Sequence, residues 1–286
     1  MKSIYPSMLL LLSALMMSSC SHSQNESPVL EGPYIGQKPP SLTPEVFAPG
    51  IVSKEHRDWT GSFTPDMKEY YFGRYNKKSG KTSKIVFKSE NNRWHESEVP
   101  RVGGSISPDG KTMHSGNQYR ERTDDGWSEL KSLGSPFEDI RIMRLTASSK
   151  GTYVFDDAGA GETGAIRSSR LIDGTREEPK LLSKEINSGK WNAHPFIAPD
   201  DSYIIWDGER DSGYGEVDLY ISFRQQDGSW GVAINFGDKI NTDGPDSGGG
   251  VTPDGKYFFF NKKISPEDSD TYWVDAQIIE TLRPKP

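Results

Sequence analysis

Short apolar runs recur along the chain, each just behind a turn-forming phrase. Tyr70-Tyr71-Phe72 follows Thr64-Pro65-Asp66-Met67-Lys68-Glu69, and Tyr257-Phe258-Phe259-Phe260 follows Thr252-Pro253-Asp254-Gly255-Lys256. Tyr203-Ile204-Ile205-Trp206 follows Ala198-Pro199-Asp200-Asp201-Ser202, and Ser107-Pro108-Asp109-Gly110-Lys111 opens a shorter copy. Thr146-Ala147-Ser148-Ser149-Lys150-Gly151, ahead of Tyr153-Val154-Phe155, is a degraded fifth. Pro presets φ, Asp bonds the turn backbone and Gly takes positive φ, so the phrase predicts a tight hairpin turn marked by Asp66, Asp109, Asp200 and Asp254. The runs are continuous and not alternating, which predicts strands covered on both faces. A spacing of roughly 40 to 54 residues suits the blades of a propeller.

A second element lies upstream of the phrases. Trp94 leads to Val99, Trp127 to Leu133-Gly134 and Trp230 to Phe236-Gly237, as an outermost strand crossing to the next blade would. The last phrase has only one strand behind it, Thr271 to Asp275. Glu45 to Val52 has the look of the missing fourth and precedes the first phrase at the right distance. The pattern therefore predicts an all-β, five-bladed propeller closed by an N-terminal strand that completes the last blade. Closure removes exposed sheet edges. A short helical turn is expected near Ile278, Ile279 and Leu282.

The N-terminus has a different pattern. A basic start, an apolar run from Met8 to Met17 and then Ser18-Ser19-Cys20 predict a signal segment over 1–19 that is too short to span a bilayer. The run resembles a bacterial lipoprotein signal, which implies lipid attachment at Cys20 and a place in the cell envelope, facing the periplasm or the exterior. From Cys20 to about Leu42 the chain is polar and rich in breakers, and reads as a tether; 43–286 reads as one propeller domain.

The S/T-P-D-G-K phrases and the closing Asp270-Thr271-Tyr272-Trp273-Val274-Asp275-Ala276 resemble the PD40 (WD40-like, TolB-type) β-propeller repeat family over roughly residues 33–283. Gly36-Gln37-Lys38-Pro39-Pro40 is similar to the lead-in of its secreted members. These motifs specify a fold and leave function open.

Composition narrows the chemistry. The 286 residues are 33% hydrophobic and carry 29 Gly, 19 Pro and a net charge of −7, so strands and turns are favoured and nucleic acid is not the expected partner. One Cys excludes a disulfide framework or Cys-cluster metal site, and no H-x-H spacing supports zinc. No cofactor is implied, no G-x-S-x-G elbow is present, and a monomer is expected.

The face opposite the turns should carry the longer, acidic loops Asp207 to Asp218, Asp238 to Asp246 and Ser265 to Asp270. Long loops on a rigid scaffold are where ligands bind. A negative rim favours a cationic or Ca2+-bridged partner, an envelope protein or a glycan. His194, Asp207, Glu209, Arg210, Asp243 and Asp246 are the candidate ligand-binding residues, with Glu209 and Arg210 as the ligand-facing pair. Membrane contact is expected through the lipid alone. Binding or scaffolding is the favoured function. The alternative is a five-bladed glycoside hydrolase using channel carboxylates such as Asp58, Asp207 or Asp218.

Overall fold

A computed structural model describes residues 30–99, 102–161 and 164–285. The signal segment, Cys20 and the first part of the tether lie outside these residues.

The turn phrases fold as their chemistry dictates. At the first, Thr64 Oγ1 donates to Asp66 Oδ1 at 2.6 Å and accepts from Glu69 N at 3.0 Å, while Asp66 Oδ1 accepts from Lys68 N. Ser107 with Asp109 and Thr252 with Asp254 repeat this arrangement, and Asp200 Oδ1 accepts from Ser202 N. Met67, Gly110, Gly151, Asp201 and Gly255 all hold φ between +58° and +78° at the same turn position. The degraded copy at Ser148 to Gly151 lacks Pro and Asp and is one residue tighter. Ser148 N donates to Thr152 O, where Thr64 N donates to Glu69 O.

Each turn joins the first two strands of a four-stranded antiparallel sheet. The first sheet runs Arg57–Phe63, Glu69–Asn76, Lys81–Glu90 and Arg93–Glu98. The second runs Ser105–Ile106, Thr112–Ser115, Gln118–Thr123 and Lys131–Ser132, with Gly126–Trp127 folded back on its third strand. Leu145–Ala147, Tyr153–Asp157, Ala165–Ser169 and Lys180–Leu181 form the third. Trp191–Ile197, Tyr203–Glu209, Asp218–Phe223 and Ile234–Asn235 form the fourth. The last comprises Asp246–Val251, Tyr257–Ser265 and Asp268–Asp275, and its outermost strand is Glu45–Val46 from the N-terminus. Glu45 pairs with Trp273 and Val46 with Tyr272. Each innermost strand adjoins the next, and the fifth adjoins the first. The chain is thus an all-β propeller, closed by the strand expected from the sequence. The C-terminal helix, Gln277–Leu282, buries Ile278 and Ile279 against Phe236, Phe258 and Val274.

Blades are tied at one repeated position in their second strands. Asp156 Oδ2 accepts from His194 N at 2.8 Å, Asp207 Oδ1 accepts from Gly248 N at 3.1 Å, and Asn261 Nδ2 donates to Asp58 O at 2.9 Å. Each reaches the innermost strand of the following blade. Between the first two blades the tie is Glu69, which receives Arg122 through both carboxylate oxygens and the Tyr71 hydroxyl at 2.8 Å.

The tether expectation needs correction from Leu30 onward. Trp94 N donates to Leu30 O, Gly32 N to Asn92 O, and Trp94 Nε1 to Gly32 O at 2.7 Å, which lays this segment along the outer strand of the first blade. Tyr34 and Ile35 then turn inward and are buried, with the Tyr34 hydroxyl on the Asp254 carboxylate. They join an aromatic cluster across the seam in which Phe47 meets Phe259 at 4.8 Å and Trp273 at 5.1 Å between ring centres. Composition suggested a free linker because prolines and polar residues dominate it, but its few large apolar side chains are the ones that pack.

Candidate ligand-binding site

Two cavities share the propeller axis. The smaller, of about 260 Å3, is lined by the turn phrases, among them Pro108, Ser149, Pro199 and Pro253. The larger, of about 510 Å3, opens on the other face and falls within the ~300–1,000 Å3 of small-molecule sites. Arg144 lines both. It stands in the innermost strand region of the third blade and reaches across the axis, where Nη1 donates to Gly249 O at 2.9 Å and His194 O at 3.3 Å. Close backbone approach makes this crossing possible: a Cβ on Gly250 would lie 3.0 Å from Arg144 Nη2. Burial lowers the Arg144 pKa to about 10 against the opposing pull of Asp207 and Asp156, so the guanidinium stays charged.

The first, second and fifth blades supply most of the larger cavity's wall. Arg57 and Trp59 come from the first innermost strand, and Lys84 from the third strand of that blade. The Lys84 side chain runs between backbones that carry no side chains, since a Cβ on Gly73 or Gly103 would stand 3.2 Å or 3.7 Å from its Nζ. Burial lowers the pKa of Lys84. Lys263 and Asp268 come from the fifth blade. Among the described residues, Arg57, Lys84, Arg144 and Lys263 form no ion pair (N···O within 4 Å), whereas Asp58 is held by Arg74 at 2.9 Å. Asp58 and Asp268 are the only carboxylate residues on the wall among the described residues.

This corrects the expected negative mouth. Among the described residues the wall carries four cations without ion-pair partners together with His114 and His194, and of the loop acids only Asp268 stands on it. Asp218 accepts from Tyr214 N, Gly215 N and Asn235 Nδ2; Asp246 accepts from Thr242 N and Oγ1. Burial raises Asp246 to about 6, against its bonds from Thr242. Asp243 is exposed and off the wall, and Glu209 pairs with Lys190 at 3.5 Å. Arg210 is not ligand-facing either: its Nη2 donates to Glu185 O and Ile186 O, and the guanidinium lies 4.5 Å from the Tyr220 ring centre.

Of the six candidates, only His194 lines the cavity. Asp207 stands behind it, with carboxylate oxygens 3.0 and 3.1 Å from Nδ1. Burial pulls the imidazole down, but the charge and hydrogen bond of Asp207 outweigh it, and the His194 pKa lies above its ordinary value. His194 also holds φ at +45°, an uncommon conformation for a side-chain-bearing residue. Arg57, Trp59, Lys84, Arg144 and Lys263 escaped the sequence reading. Arg144 alone had a usable signal: it precedes Ser148 by the same four residues that separate His194 from Ala198. Among the described residues no three His, Cys, Asp or Glu side chains come together as a metal site.

No family model and no curated protein sequence matches the chain. Among solved structures it is similar to TolB from Acinetobacter baumannii, at 13% identity and a TM-score of 0.47, over 78% of this chain and 55% of that one. The chain thus spans about half of that protein's length. It is also similar to a gluconolactonase from Xanthomonas campestris, at 10% identity and a TM-score of 0.46, over 87% and 98% of the two chains. An α-L-arabinofuranosidase from Podospora anserina shows 12% identity and a TM-score of 0.47, over 86% and 96%. At these identities the likeness concerns the fold alone.

Proposed function

We propose that the protein is a PD40-type binding propeller of the cell envelope, held to a membrane by lipid at Cys20, whose axial cavity takes a small anionic ligand or an anionic group of a larger partner. One observation carries the ligand reading: four cationic side chains without ion-pair partners among the described residues converge on one cavity. Desolvating a cation is unfavourable unless a counter-charge arrives, so such a wall binds an anion more strongly than an exposed patch would. Citrate and sulfate serve as probes in thermal unfolding of the full chain. Each should raise the midpoint by mass action, and Lys84→Met with Lys263→Met should remove the shift. Stabilisation by choline or Ca2+, with none by the anions, would refute the reading. For the anchor, Cys20→Ala should release a folded protein from membrane fractions; retention of the variant after a salt wash would sink the lipid assignment.

A second reading, hydrolysis of a bound ester or lactone, is favoured by the His194–Asp207 pair, whose geometry orients an imidazole at the cavity wall. Turnover in an ester and lactone screen, abolished by His194→Ala, would move the protein to that class. The carboxylates considered for glycoside hydrolysis offer less, because Asp58, Asp207 and Asp218 are each engaged by Arg74, by His194 and Gly248 N, or by loop backbone.

A further inference from the structure

Trp59 stands on the wall of the larger cavity and is 40% exposed. It pairs across the sheet with Gly73, and a Cβ there would meet the indole Cε3 at 2.8 Å. One region of the ring therefore rests on glycine backbone. Among the described residues no other ring or cation stacks on Trp59, in contrast to Trp94, Trp206 and Trp273, which are packed into aromatic clusters. The rest of the wall is rich in hydroxyls, including Ser62, Thr82, Ser115, Ser247 and Ser265. Each hydroxyl can both donate and accept.

From this juxtaposition we infer that the anionic ligand is an acidic saccharide, its pyranose ring laid on Trp59 and its carboxylate or sulfate ester held by the cationic wall. The inference rests on the anion-binding reading of the same cavity. A pyranose presents C–H bonds on its faces and hydroxyls around its edge. It can cover an aromatic ring and satisfy surrounding Ser and Thr side chains at once. A flat aromatic acid would cover Trp59 but leave the hydroxyls without partners as water is expelled, which is costly. A compact polyanion such as citrate would satisfy the cations and leave the indole in water.

Calorimetric titration of the full chain in detergent separates these cases. The probes are tri-galacturonic acid, a sulfated heparin disaccharide, neutral maltotriose, citrate and AMP. At least one acidic saccharide should bind more tightly than citrate and AMP, and maltotriose should not bind detectably. Binding by the galacturonide identifies the carboxylate as the recognised group, and binding by the heparin disaccharide identifies the sulfate. Trp59→Ala should weaken the saccharide about tenfold while leaving citrate unchanged, and Trp59→Phe should restore most of the loss. Equal binding of citrate and saccharide, unaltered by Trp59→Ala, overturns the saccharide inference and leaves the anion reading standing. Tighter binding of AMP overturns it too. If none of the anions binds, both readings fall.

Discussion

Replacing Glu69 by Gln removes the charge that joins the first two blades. The side chain is 11% exposed and its carboxylate meets Arg122 at 2.7 and 3.2 Å, the Tyr71 hydroxyl at 2.8 Å and Lys88 at 3.1 Å. Burial alone would raise its pKa, but Arg122, Tyr71 and Lys88 prevail and hold it at about 2, against an ordinary 4.5. A carboxylate depressed on folding stabilises the native state fully above its unfolded pKa, and that stability is lost as pH falls toward the folded value. At ~1.4 kcal/mol per pKa unit the contribution is on the order of 3 kcal/mol near neutrality, falling to about 1.4 kcal/mol at pH 3. Arg122 is 37% exposed in its side chain, so water can receive it when its partner is neutral, and little further penalty should accompany the substitution. Urea unfolding of wild type and Glu69→Gln, followed by tryptophan fluorescence at pH 7 and pH 3, measures the difference directly. The gap between the two proteins should shrink by more than half at the lower pH. A gap that is the same at both values would show that the substitution acts through packing and that the charge tie is not a source of stability.

Two further outcomes follow from the cavity wall. A Cβ on Gly104 would sit 1.9 Å from the His114 carbonyl oxygen, so Gly104→Ala should destabilise the second blade by several kcal/mol, roughly at the upper end for single substitutions, with a lowered urea midpoint as the readout. His194 is held above its ordinary pKa by Asp207, and it titrates within reach of Arg144 and Asp156. Lowering the pH through that value adds a positive charge to the wall, so affinity for sulfate, which stays a dianion over this range, should rise as pH falls and the dependence should flatten in His194→Gln; titrations giving the same slope in both proteins would exclude His194 as its source.

The fold was legible because its signal is local and repeated. Thr64, Ser107 and Thr252 close their turns with the same bonds, and even the degraded copy keeps its serine: Ser148 Oγ accepts from Lys150 N and Thr152 N. Ring closure could be read from the single strand behind the last phrase. The site was not legible, for two physical reasons. First, its wall gathers Arg57, Arg144 and Lys263 from strands of different blades, and no motif marks a lysine such as Lys84 whose importance comes from the glycines beside it. Second, loop charge was counted without knowing where it is spent. Asp207, Asp218 and Asp246 are acidic in sequence, yet each carboxylate is engaged close to home: Asp207 by His194 and Gly248 N, Asp218 by Tyr214 N, Gly215 N and Asn235 Nδ2, and Asp246 through Oδ2 by Thr242. Proline-rich composition hid the docking of Leu30 to Gly36 in the same way.

The seam has a consequence in time. Glu45 pairs with Trp273 and Tyr34 meets Asp254, so these residues leave the ribosome long before their partners, which for Tyr34 lie 220 residues further along the chain. Until Asp268–Asp275 has emerged, the outer strand of the final blade has no place to lie, and Phe47 has neither Phe259 nor Trp273 to cover it. Contacts this distant in sequence close slowly, and an incomplete ring leaves strand edges open to other chains. A chain halted anywhere before the fifth blade therefore carries a ready-made strand and an uncovered aromatic cluster at its front end. Such a truncation should be recognised by chaperones or proteases through its beginning, although the missing part is its end.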